Sequence, residues 1–157
     1  MTQPVLKVFL KDGAKLPAYA HAGDSGLDLC ATKDFTLKLM QPQVAMTGVH
    51  VEIPDGYEAQ VRPKSGLSSK GVFATLGTVD SNFRGEIGVT LTLIRKDDIS
   101  GCDVYVHGCS EYEFKAGDKI AQLVIAPVAR VAVQQVQNVG ELSETERGER
   151  GWGSSGV

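Results

Sequence analysis

Long hydrophobic runs are missing from this chain of 157 residues. The longest, Leu123 to Val128, falls far short of the ~20 apolar residues that carry a helix across a bilayer, which excludes a transmembrane helix. The opening Met-Thr-Gln-Pro-Val-Leu-Lys has no apolar signal core, so a cytoplasmic protein (host cytoplasm for a viral one) is expected. Cysteine is scarce: Cys30, Cys102 and Cys109 leave one thiol over under any pairing, which suits a reducing compartment better than a secreted disulfide scaffold. Cys102, His107 and Cys109 match no zinc spacing and have no fourth ligand nearby, so a zinc site is not expected. Positive charge is not in excess either. A net charge of −3 argues against a general nucleic-acid or membrane-surface binder, and an anionic ligand would have to be met by local donors. Helical periodicity is also absent, since no stretch of about eleven residues repeats its apolar positions every 3.6.

What is present reads as strands and turns. Short apolar or alternating segments occur at Val5–Leu10, Phe35–Leu39, Val44–Ile53, Tyr57–Val61, Ile87–Leu93, Ile120–Ile125 and Val128–Val133. Between them lie turn signals such as Pro54-Asp55-Gly56, and the chain holds 18 Gly. Many short strands with frequent turns predict an all-β sandwich, jelly roll or barrel in a single domain, with at most a helical turn or two around Ser65–Lys70. Two regions break the pattern. The charged, Gly-containing stretch 96–113 reads as an extended hairpin or surface insertion. The Gly-rich polar stretch 146–157 reads as a flexible arm, yet it contains the single tryptophan, Trp152, beside Ser154 and Ser155.

Four internal segments have residues suited to chemistry. Gly77-Thr78-Val79-Asp80-Ser81-Asn82-Phe83-Arg84-Gly85-Glu86 sets one carboxylate between an apolar run and a turn; by itself it is equally an ordinary hairpin. Ala22 to Leu29 carries Asp24 and Asp28, leading into a strand. If Leu27 and Leu29 face inward, Asp28 faces the other way, as a holder of metal-bound water or as a solvated turn residue. Arg62-Pro63-Lys64-Ser65-Gly66-Leu67-Ser68-Ser69-Lys70-Gly71 offers cations, hydroxyls and a close-approach Gly, the needs of phosphate oxygens, without being a Walker A sequence; a plain basic loop is the other reading. Gly117-Asp118-Lys119-Ile120-Ala121-Gln122-Leu123 places one amide, Gln122, amid apolar neighbours. No Ser/His/Asp or Cys/His set has compelling spacing, and His21, His50 and His107 look incidental.

Taken together and in order, Ala22–Ala31, Pro63–Leu67, Gly77–Glu86, Gly117–Gln122 and Arg147–Gly156 resemble the five motifs of the homotrimeric dUTPase family, over nearly the whole chain. The resemblance implies a distorted jelly-roll β-barrel over residues 1–145, with the 96–113 insertion, and an arm at 146–157 that closes a neighbouring active site. It implies a homotrimer that cleaves dUTP to dUMP and pyrophosphate with Mg²⁺, limiting uracil in DNA and supplying dUMP for thymidylate synthesis. By motif match, Asp80 would orient and deprotonate the attacking water, and Asp28 would hold Mg²⁺ through a water. The hairpin around Thr75–Phe83, with Thr78 and Val79, would read uracil through backbone groups and exclude the thymine methyl; Phe83 would pack under deoxyribose. Lys64, Ser65, Gly66 and Gln122 would meet phosphate oxygens. Arg147, Ser154, Ser155 and Gly156 would close on the β- and γ-phosphates, with Trp152 stacked over uracil.

Three positions depart from the family pattern. Phe83 stands for the usual Tyr, Lys64 for the usual Arg, which loses the bidentate fork, and Trp152 for the usual Phe or His. An insertion near 96–113 resembles that of phage-encoded members, in which case it could offer a surface to a protein partner. The related dCTP deaminases have a catalytic Glu where this chain has Thr90, which disfavours deamination. A rival of another class is a nucleotide-gated interaction protein. Neither direct nucleic-acid binding nor a membrane is implied.

Overall fold

The alternation in Ile87, Val89, Leu91 and Leu93 is realised as written. In the computed structural model, which describes residues 3–94 and 111–150, these side chains lie on the inner face of a strand whose intervening residues are only half-buried. Each such burial stabilises by about 1.5–3 kcal/mol. The strands are β1 (Lys7–Leu10), β2 (Leu27–Cys30), β3 (Phe35–Lys38), β4 (Gln43–Glu52), β5 (Tyr57–Arg62), β6 (Val72–Ala74), β7 (Gly77–Val79), β8 (Glu86–Leu93), β9 (Glu111–Phe114) and β10 (Lys119–Pro127). One helical turn, α1 (Ser65–Ser68), follows β5, and a 3₁₀ turn spans Val139–Glu141.

Described strands form two four-stranded sheets, ordered β1-β4-β8-β6 and β2-β10-β5-β7, and a ribbon of β3 with β9. Their paired neighbours are antiparallel. One core joins all three: Val49, Val89 and Leu91 from the first sheet, Leu29, Ala59 and Leu123 from the second, Leu37 and Phe114 from the ribbon. The class is all-β as expected and jelly-roll-like; the sheets stay open and do not close into a barrel.

Strand β4 bends midway. Its register with β8 shifts between Met46 and His50, and Gly48 there has φ +68°. The buried Thr47 hydroxyl donates to Ile87 O at 2.7 Å, and Gly48 N–H donates to Glu86 Oε1 at 2.8 Å, so the irregularity leaves neither polar group stranded.

One expected strand is absent. Val128–Val133 has no strand assignment, and Val131 and Val133 are 78% and 93% exposed. The reason is the length of the partner. Strand β5 begins at Tyr57, opposite Pro127, and past Val128, whose N–H still reaches Gly56 O at 2.9 Å, the ladder ends. Two short strands, β6 and β9, escaped the sequence reading, and a third, β7, was expected only as part of the Thr75–Phe83 hairpin. β6 and β7 have only three residues each, and β9 takes Glu111–Glu113 from the C-terminal edge of the expected insertion into a pairing with β3. The rest of that insertion, including Cys102, His107 and Cys109, lies outside the described residues.

Candidate active site

The residues expected to act together occupy two separate places. The first is the hairpin of β7 and β8. Its arms belong to different sheets, so they splay apart and leave a cleft of about 210 Å³ lined by Gly77, Thr78, Val79, Asp80, Phe83 and Glu86 among others. Because β7 is the edge of its sheet among the described residues, where it pairs with β5 alone, one row of its backbone N–H and C=O groups is left to face the cleft. Val79 is buried among core residues, so only its backbone is available to a ligand. Asp80 is exposed at the cleft mouth, where it also borders a second, more polar hollow with Glu58, Asn82 and Arg130.

The turn after Asp80 is tightly specified. Phe83 N–H donates to Asp80 O at 3.0 Å, and Arg84 Nη1 donates to Ser81 O and Phe83 O at 2.7 and 2.8 Å. His50 Nδ1 sits 2.9 Å from Arg84 O, tying the turn to β4. The tip of the Phe83 ring lies against Gly85, where a Cβ would be 2.4 Å from Phe83 Cζ. Only Gly therefore lets the ring take this position, half-exposed and facing the cleft.

The second place is the far side of the β2-β10-β5-β7 sheet. Asp28 pairs with Gln122, and Gln122 with Arg62, so three polar side chains form one cross-strand row on the outer face. Gly26 makes room for this row, since a Cβ there would come 2.9 Å from Gln122 Cβ. Asp28 is only 6% exposed. Lys64 Nζ donates to its Oδ1 at 2.5 Å. Lys119 Nζ lies 2.6 Å from Oδ2 in a second ion pair. Burial pushes the Asp28 carboxyl up, yet the two ammonium groups outweigh it and hold its pKa below the ordinary value. Lys119 responds in kind, its pKa raised chiefly by its contact with Asp28.

Lys64 also caps α1. Its carbonyl accepts from Leu67 and Ser68 N–H, while the N–H groups at the start of the turn have no intrahelical partner. A Cβ on Gly66 would meet nothing within 4 Å, so this turn is open to a ligand.

Thr78 pairs with Gln60 and Asp28 with Gln122, on the two edge strands. Three strand spacings, about 14 Å, separate those strands, and the register adds an offset of two residues along them. Within one chain the structure brings Lys64, Ser65, Gly66, Gln122 and Asp28 together, and separately Thr78, Val79, Asp80 and Phe83. Arg147 joins neither; its hydrogen bonds are local, its Nε donating to Arg150 O while its own carbonyl accepts from Arg150 N–H and Nε. Trp152, Ser154, Ser155 and Gly156 lie outside the described residues. Two neighbours were missed from sequence, Lys119 on Asp28 and Arg62 beside Gln122. Both follow from cross-strand register, which leaves no local signal.

Among the described residues no three His, Cys, Asp or Glu side chains stand close enough to cage a metal ion, and no helix is long and apolar enough to cross a membrane. The buried Asp28 carboxylate fits as an acceptor for a donor such as a metal-bound water, on a metal whose other ligands come from elsewhere.

Comparison with known proteins bears on the whole chain. The dUTPase family model matches residues 12–156. The deoxyuridine 5'-triphosphate nucleotidohydrolase of Clostridium tetani is 40% identical, covering 99% of each chain. That of Gloeothece citriformis is 44% identical, over 94% of this chain and 93% of its own. Among solved structures, Staphylococcus bacteriophage 80alpha dUTPase with dUpNHpp superposes with a TM-score of 0.83 at 30% identity, covering 98% of this chain and 99% of that one. A variant of the phage phi11 dUTPase, solved with the coordination of a structural Mg(II) ion, gives 0.73 at 28% identity, over 86% and 98%. By family match, sequence identity and fold alike, the chain belongs to the dUTPase family.

Proposed function

We propose that this chain hydrolyses dUTP to dUMP and pyrophosphate. The observation that carries the proposal is the splayed β7–β8 hairpin, a narrow slot edged by unpaired backbone groups with one carboxylate, Asp80, at its mouth. The edge of uracil presents N–H flanked by two carbonyls, a pattern that backbone C=O and N–H groups complement. A narrow slot leaves little room for the thymine methyl, and the Phe83 ring on Gly85 offers a flat face to deoxyribose, crowding a ribose 2′-hydroxyl.

Asp80 orients a water and accepts its proton as the oxygen attacks the α-phosphorus; the bond from that phosphorus to the bridging oxygen breaks, and pyrophosphate leaves. A carboxylate is a weak base, so most of the acceleration comes from alignment and from charge neutralisation on the triphosphate. Ser65, Gly66, Lys64 and Gln122 supply donors to phosphate oxygens. What bound Mg²⁺ supplies is further neutralisation of the triphosphate, with Asp28 holding one of its waters. Separation of the two residue groups within one chain supports a homotrimer whose protomers contribute different halves of each site. Arg147, Trp152, Ser154, Ser155 and Gly156 of a third protomer then close over the nucleotide, and the reaction takes place in the cytoplasm, at the expense of the dUTP pool available to DNA synthesis.

The test is pyrophosphate release from dUTP, dTTP, UTP and dCTP. A clear preference for dUTP is expected, and Asp80→Asn should lower kcat by about 10²–10⁴-fold, the usual range for a positioned base. Equal rates on dTTP, or full activity in Asp80→Asn, would overturn the assignment.

A further inference from the structure

Lys119 lies outside every role given above, yet its ammonium is one of the two cations on the buried Asp28. The two lysines are held unequally. Lys64 is 23% exposed, its carbonyl anchors α1, and its Nζ donates to Oδ1 at 2.5 Å. Lys119 is 52% exposed and opens β10 where the register with β2 is irregular, between Lys119 and Ala121. Its Nζ pairs with Oδ2 at 2.6 Å. A buried carboxylate oxygen held by a half-exposed lysine is a place where another donor can enter once that side chain swings away.

We propose that Lys119 is a built-in competitor for the metal at Asp28: it neutralises the carboxylate in the empty site and is displaced when Mg²⁺ arrives with the triphosphate. The inference rests on the dUTPase reading above and adds to it a residue that sets the magnesium requirement. Two effects make Lys119 oppose the metal. Its ammonium stands where a metal-bound water would donate to Oδ2, and its charge repels a dication over a few ångströms. Once displaced, a half-exposed lysine side chain swings into solvent at little cost, whereas Lys64 stays fixed by its place at the cap of α1.

The experiment is calorimetric titration of the intact protein with the non-hydrolysable analogue dUpNHpp at a series of Mg²⁺ concentrations, which gives the Mg²⁺ midpoint for tight binding. Lys119→Met is expected to lower that midpoint by about three- to tenfold, as suits the loss of one partly screened charge. Lys119→Arg keeps the charge and should stay near the parent. In an Asp28→Asn background, Lys119→Met should change the midpoint by less than about twofold, since the contested acceptor has lost its charge. A midpoint unchanged or raised in Lys119→Met, with thermal melts matching the parent, would overturn the proposal. So would an equal fall in the Asp28→Asn background, which would mean general electrostatics. Failure of the parent to bind dUpNHpp at any Mg²⁺ concentration would instead remove the dUTPase reading itself, and the competitor role with it.

Discussion

Asp28 and Gly85 show how much a single position can decide here. Asp28 is buried with two lysines on it, and its native pKa is held below the ordinary value. A carboxylate with a depressed native pKa stabilises the fold above its unfolded pKa, about 3.9, and that contribution is lost as pH falls through the native value. Asp28→Asn should therefore cost about 1.5–3 kcal/mol at pH 7, the range for hydrogen bonds to charged groups. The difference from the parent should shrink below pH 4, and chemical denaturation at both pH values measures it. Gly85 acts through space alone. A Cβ there would stand 2.4 Å from Phe83 Cζ, so Gly85→Ala must move the ring from its place at the cleft. A rise in KM for dUTP with little loss of thermal stability is expected; an unchanged KM would mean that Phe83 does not line the sugar site. Neither constraint is written in a local pattern: Gly85 reads as turn punctuation until the ring is seen lying on it.

At the scale of elements, legibility followed length and alternation. β8, with four inward apolar residues in strict alternation, was plain. The three-residue β6 and β7 were not, because a strand that short has too few residues to reveal a period of two. Val128–Val133 failed for the opposite reason: its apolar pattern is genuine, but strand formation needs a partner edge, and β5 ends the ladder at Tyr57. The bend in β4 makes a sharper test. Gly48 combines φ +68° with a position where a Cβ would come 2.6 Å from Ala14 Cβ. Gly48→Ala is expected to destabilise by about 1–3 kcal/mol, lowering Tm by roughly 2–4 °C per kcal/mol in a chain of this size. A Tm equal to the parent's would show that the first sheet absorbs the change.

For the whole molecule, the central fact is that Asp28 sits on one edge strand of a sheet and Thr78 and Val79, which lead to Asp80, on the other. If each protomer lends Asp28 and its neighbours to one site and Asp80 with Phe83 to another, two dead variants should rescue each other. Asp28→Asn and Asp80→Asn proteins, unfolded together in equal amounts and refolded, should regain roughly a quarter of parental activity, the chance that both halves of a site are intact under random assembly. No recovery, with mixed trimers confirmed by mass, would place a complete site within one chain.

The sequence by itself determined the all-β class, through period-two alternation and closely spaced turns. Through five ordered motifs it also determined the family and the identity of most candidate site residues, Asp80 among them. These are local properties, carried by residues near one another along the chain. Tertiary structure alone decided which of those residues meet. It splayed the β7–β8 hairpin between two sheets and set Lys119 on Asp28 across a strand pair. It also kept Asp28 and Asp80 three strands apart. Register and sheet membership arise from pairing between distant segments, and no short window of sequence records them.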